Sequence, residues 1–216
     1  GMVARKEPIR NLSELFIQIG RWQYYLLALV ATGFIIFGKQ FIALWAGPEF
    51  EDSYIITLLI ILPFTVDLIQ NIGLAIMQAM NRYDFRARIY FLTGVLNLIL
   101  AIPLGIKYGG IGCAVATGAS MIVGNGFIMN WYYAKEMHLA IASFWKQIGK
   151  ISFITFMCLV IGYWVNAYIG PYGGIYPFIL KVVMYTILYV VMIYFFAMNL
   201  SEQEKVHAVF HKLHIS

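Results

Sequence analysis

The sequence predicts an all-α integral membrane protein, a bundle of about six transmembrane helices with no separate soluble domain. Three observations predict it. Of 216 residues, 62% are hydrophobic and 12% charged, against roughly 45–50% and about 25% in soluble domains. The apolar residues fall in uncharged runs, each long enough for the roughly 20-residue helix that crosses a hydrocarbon core. Charged residues cluster between these runs, and the runs are too long for barrel strands.

In chain order, residues 1–21 carry Arg5, Lys6, Glu7, Arg10, Glu14 and Arg21 and read as a cytoplasmic segment without the apolar core of a signal peptide. Residues 22–133 hold four spans. Trp22 to about Leu44 is the first, and the acidic turn Gly47–Asp52 follows it. Tyr54 to Met80 is the second, interrupted by Pro63 and Asp67. Ile89–Ile106 and Ile111–Tyr133, joined by Lys107-Tyr108-Gly109-Gly110, are expected to form an antiparallel hairpin. Residues 134–150 read as a cytoplasmic loop. Residues 151–197 are too long for one span, and Gly170-Pro171-Tyr172-Gly173-Gly174 divides them into two. Residues 198–216 place Val206, Val209, Phe210 and Leu213 at helical spacing, the pattern of an amphipathic tail lying on a membrane surface.

Short cytoplasmic loops carry an excess of Lys and Arg. Arg5, Lys6, Arg10, Arg21, Arg82, Arg86, Arg88, Lys135, Lys146, Lys150, Lys205 and Lys212 fall on one side of the predicted spans, and Lys39, Lys107 and Lys181 on the other. Both termini are therefore expected in the cytoplasm, in a multi-pass protein of the inner (plasma) membrane. The basic clusters explain the net charge of +5 as topology, and no nucleic-acid partner is expected. Cys113 and Cys158 sit in apolar stretches with no partner motif, which suits packing rather than a disulfide or a metal. His207, His211 and His214 share a stripe in the tail without a companion Cys or acidic cluster, so no metal is expected there either.

Asp67 is the acidic residue in the middle of a predicted span, and a charge at that depth is costly unless it faces protein or water. Gln70 and Asn71 follow at helical spacing and Gln78 falls near the same stripe, giving one polar edge to an apolar helix. Pro63 removes a backbone hydrogen bond one turn earlier and predicts a kink. The combination suggests a helix lining a solvated cavity. The blander reading has Asp67 protonated or hydrogen-bonded to a neighbouring helix and serving only packing. Asn97, Asn125 and Asn130 suit hydrogen bonds across helices, with Asn97 also a candidate on the pathway. Arg82, Arg86 and Arg88 suit either topology or contact with an anionic headgroup from the cytoplasmic leaflet. No HExxH, Walker A loop, GxSxG elbow or pair of catalytic carboxylates occurs, so an enzyme is not expected.

Several segments occur in a characteristic order: Phe41-Ile42-Ala43-Leu44-Trp45-Ala46-Gly47-Pro48-Glu49-Phe50, Met77-Gln78-Ala79-Met80-Asn81-Arg82, Gly94-Val95-Leu96-Asn97-Leu98-Ile99-Leu100, and Gly109-Gly110-Ile111-Gly112-Cys113-Ala114-Val115-Ala116-Thr117. Over roughly Leu26–Lys135 the chain resembles the C-terminal part of Wzx-type polysaccharide flippases, in the multidrug/oligosaccharidyl-lipid/polysaccharide exporter superfamily. The resemblance implies a second transporter lobe plus two extra helices, with an N-terminal half as partner. It also implies alternating access that moves a lipid-linked saccharide to the outer leaflet, in contact with membrane lipids. No cofactor is implied, and coupling to a proton or sodium gradient is. Such transporters engage the anionic ligand through basic cavity residues, whereas this sequence has no Lys or Arg in mid-span. Gly1-Met2 is an unusual start, and the chain reads as a fragment. Alternatives are a multidrug exporter of the same superfamily, a polysaccharide polymerase or ligase, which would be expected to carry a large outward loop, and a membrane scaffold, which would leave Asp67 without a role.

Overall fold

In a computed structural model, residues 9–169 and 174–214 are described, the last helix with side chains to residue 208. Arg5, Lys6, Glu7, most of the Gly170–Gly174 turn and the side chains of Val209, Phe210, His211, Lys212, Leu213 and His214 lie outside the described residues. Among those described, the regular structure is entirely helical. Five helical runs are long and apolar enough to cross a membrane, and the chain is a multi-pass, all-α membrane protein. It divides into two compact units, 1–148 and 149–216.

Helix α1 spans Ile9–Trp45. It takes in most of the expected N-terminal segment, because Leu12, Phe16 and Gly20 repeat at helical spacing and are buried on the same face as Tyr25, Ala28 and Thr32. At 1.5 Å per residue, its 37 residues reach about 55 Å, well beyond a hydrocarbon core of about 30 Å. The surplus lies at its N-terminal end, where the Ser13 hydroxyl accepts from the Ala140 backbone N–H at 3.2 Å. A Cβ at Gly20 would stand 2.8 Å from the Ile69 carbonyl oxygen. That glycine therefore allows α1 to cross closely over the following helices.

Gly47, at φ 109°, turns the chain into a short 3₁₀ segment, Pro48–Phe50. Helix α2, Asp52–Leu68, then returns alongside α1. Tyr54 fastens the two, stacking on Phe34 at 5.6 Å and donating its hydroxyl to the Ile35 carbonyl at 2.8 Å. The second expected span is divided: α2 ends at Leu68, Ile69 and Gln70 form a turn, and α3 runs Asn71–Ala79. Pro63 lies inside α2, and the break falls beyond it, at Gln70, whose φ of −105° and ψ of 9° leave the helical region. What Pro63 does is deprive the Leu59 carbonyl of its helical donor. Gly118 packs there, since a Cβ on it would lie 2.6 Å from that oxygen.

Helix α4, Tyr83–Met121, folds back on itself at Gly109, where φ 61° and ψ −139° interrupt the helix. Its arms, 83–108 and 110–121, are antiparallel. A Cβ at Gly105 would lie 2.9 Å from Cys113 Sγ, Thr117 Oγ1 lies 3.4 Å from Asn97 Oδ1, and Phe85 stacks on Tyr132. The apolar run Tyr83–Lys135 is thus two antiparallel segments and not one continuous helix. The second arm continues through a π-helical turn, Ile122–Ile128, into α5, Met129–Lys135. Helix α6, Ile141–Ile169, begins inside the expected loop and leads from the first unit into the second.

In the second unit, α7 spans Ile175–Met192 and ends in a π-helical turn, Ile193–Ala197. Lys181, Tyr185, Tyr189 and Ile193 form one buried stripe at four-residue spacing. Lys181, grouped by its position along the chain with Lys39 and Lys107, is 6% exposed. Helix α8, Leu200–His214, is the expected tail. Glu202 caps its start by accepting from the Asn199 N–H at 2.9 Å, and Gln203 donates to the Tyr194 carbonyl at 2.8 Å.

Candidate functional site

The break between α2 and α3 places Asp67 on the last turn of α2, facing the first arm of α4. Arg86 stands in the first turn of that arm and Tyr90 follows one turn later, which puts both on one face. Tyr133 comes from α5. Arg86 Nη2 lies 3.3 Å from Asp67 Oδ1, and Nη1 donates to the Tyr133 hydroxyl at 3.1 Å. Nη2 also meets the Tyr90 hydroxyl, and the guanidinium lies 4.8 Å from the centre of the Tyr90 ring. The Tyr90 hydroxyl is 3.4 Å from each Asp67 oxygen. Four side chains from three helices therefore converge on one charge pair.

Arg86, which suits either topology or headgroup contact from sequence, is 4% exposed and paired with Asp67. The reason is phase. Arg86 falls on the stripe that buries Ile89, whereas Arg82 and Arg88 point outward and are exposed. Arg82 is tied to the end of α5, donating to the Glu136 carbonyl at 2.9 Å. Tyr133 is 1% exposed and seats its phenol against Gly73, where a Cβ would come within 2.6 Å of the ring. Phe16 of α1 closes over it edge to face at 5.7 Å. The pair is thus sealed on the side of α1 and open on the side of Tyr90, which is 41% exposed.

A second polar cluster lies one turn away. Gln70 is buried and donates to Asn130 Oδ1 at 3.2 Å, and Trp145 Nε1 donates to the same oxygen at 2.8 Å. Asn130 Nδ2 in turn donates to the carbonyls of Asn125 and Gly126, at 3.1 and 2.7 Å. Asn71 and Gln78 are exposed on α3. Asn97 is half-buried further along the hairpin, near the Thr117 hydroxyl, and does not join Asp67. Of the expected polar stripe, the structure brings Asp67 and Gln70 into networks and leaves Asn71 and Gln78 on an open edge.

Tyr90, Tyr133 and Trp145 were not anticipated. Their signal was faint: Tyr90 stands four residues after Arg86, Tyr133 closes the aromatic run Trp131-Tyr132-Tyr133, and Trp145 lies among the charges of 134–150. Arg21, assigned to topology, is likewise buried, donating to Gln147 Oε1 at 3.1 Å and to the Tyr25 hydroxyl at 2.7 Å. No group of three or more His, Cys, Asp or Glu side chains placed to hold a metal occurs among the described residues.

Comparison with known proteins gives a limited match. The chain is 28% identical over 167 residues to a protein of Haloferax volcanii named as a probable low-salt glycan biosynthesis flippase. The match covers 73% of this chain and 34% of that protein, so the chain spans about a third of its relative. No family model matches, and no solved structure does.

Proposed function

We propose that the chain is part of a membrane flippase that carries a lipid-linked oligosaccharide or polysaccharide precursor from the cytoplasmic to the outer leaflet by alternating access. The observation that carries this reading is the Asp67–Arg86 pair, held inside a helical bundle and open along one edge. Asn71 and Gln78, exposed on α3, present polar groups that lipid would leave unsatisfied, and the exposed side of Tyr90 gives the charge pair its open edge. A water-filled pathway lined by that edge satisfies them. The substrate class rests on the name of the relative and on the resemblance over Leu26–Lys135. The remaining two-thirds of a protein of the relative's length supplies the other wall of the pathway.

In this reading both termini lie in the cytoplasm of a plasma-membrane protein, as the distribution of Lys and Arg favours. Coupling to a proton or sodium gradient acts at Asp67. A cation arriving there competes with Arg86 for the carboxylate, so loading loosens the tie between the α2–α3 break and α4. Translocation of a fluorescent lipid-linked oligosaccharide in vesicles containing the full-length protein tests this. Asp67→Asn is expected to cut the rate at least tenfold with normal membrane yield, and a normal rate overturns the assignment.

A further inference from the structure

We infer that Asn130 is a positioning residue, which holds the π-helical turn of 122–128 open and thereby aims Tyr133 at Arg86; this rests on the proposed transport role of the Asp67–Arg86 site. A π turn fits one more residue into the rotation of an α-helical turn and survives only where something compensates its poorer bonding. Here the Met129 N–H reaches back to the Gly124 carbonyl in the i→i−5 pattern. The carboxamide of Asn130 then takes the two carbonyls that follow, those of Asn125 and Gly126. Its oxygen is held by Gln70 from the α2–α3 break and by Trp145 from α6. The side chain therefore locks the turn on one side and fixes it to two neighbouring helices on the other.

The consequence is one of register. If the turn relaxed to α-helix with every residue retained, everything beyond it would advance by about 100° and 1.5 Å. Tyr133, now buried, would move to the place of Ala134, which is exposed, and Tyr132 would take its place. The phenol would leave Arg86 Nη1 and Gly73 together. Deleting one residue from the turn has the opposite effect, since it makes the segment α-helical while leaving residues 128–135 where they are. Phe127, 69% exposed, is the residue whose loss disturbs least packing.

Four forms of the full-length protein test this: unaltered, Asn130→Leu, Phe127 deleted, and the two changes combined. Asn130→Leu is expected to slow translocation at least tenfold, the deletion alone to stay within about twofold, and the combination to recover most of the rate. Loss of packing alone predicts no recovery. A second measurement does not depend on transport. In a background with Cys113→Ala and Cys158→Ala, Tyr133→Cys should be protected from maleimide, become labelled at least tenfold faster with Asn130→Leu, and be protected again once Phe127 is deleted. Unchanged labelling with Asn130→Leu, or no recovery on deletion, overturns the inference. The expected labelling pattern in a protein that does not translocate lipid-linked saccharide supports the positioning role and overturns the transport reading instead.

Discussion

Removing the guanidinium of Arg86 is the most direct probe of the charge pair. At 3.3 Å the attraction between unit charges is about 5 kcal/mol for an effective dielectric constant of about 20. Withdrawing each ion from water costs several kcal/mol, so the intact pair is near balance and its rupture is not. Arg86→Met leaves Asp67 with the Tyr90 hydroxyl but no positive partner, and is expected to destabilise the protein by about 3–5 kcal/mol. Asp67→Asn, which leaves the buried Arg86 charge with an amide oxygen and two phenols but no anion, should likewise cost about 3–5 kcal/mol. The double variant carries neither charge and should lie within about 2 kcal/mol of the unaltered protein. Reversible unfolding of the full-length protein in mixed detergent micelles measures all four corners of the cycle. Additive losses in the double variant would refute the pairing.

Gly73→Ala would put a methyl 2.6 Å from Tyr133 Cζ and 2.7 Å from its oxygen, and is expected to cost about 1–3 kcal/mol through overpacking in the same unfolding assay. An unaffected variant would show that the phenol does not seat there. Orientation is tested by labelling intact cells with an impermeant maleimide in the background lacking both cysteines. Tyr108→Cys, next to the Gly109 fold, should react from outside, and Glu136→Cys only after permeabilisation. The reverse pattern would invert the topology.

Much of the architecture was legible because hydropathy and charge clusters act along the chain. The Lys107–Gly110 turn marks the hairpin, since a lysine followed by two glycines interrupts the apolar run. Helix α1 was read short because Arg10, Glu14 and Arg21 masked the Leu12–Phe16–Gly20 repeat. Pro63 predicts a kink, but α2 runs through it to Leu68 and the break falls at Ile69–Gln70, which no residue there announces; the hydrogen bond that Pro63 removes acts one turn back, where Gly118 packs. Asp67 and Gln70 were found, yet the partner of Asp67 was not. Arg86 lies among Arg82 and Arg88 in a cluster that looks like a topology signal, and only its phase, shared with Ile89 and Tyr90, separates it. Asn130 suits hydrogen bonds across helices from sequence and makes them with Gln70 and Trp145, whereas the place of Tyr133 depends on a π turn that no local residue pattern announces.

The single-residue fold at Gly109 bears on how the protein enters the bilayer. With φ positive and ψ extended, the chain reverses in a region of backbone space that is essentially reserved for glycine. Helical turns run up to the residue that joins the arms on both sides, so the polar backbone at this tip is confined to the end carbonyls of one arm and the first N–H groups of the other. The arms can be delivered as one piece, with only those end groups, and no separate loop, to carry through the hydrocarbon. The surface left at that end is the tip of two helices, and it offers a protease no extended segment to grip.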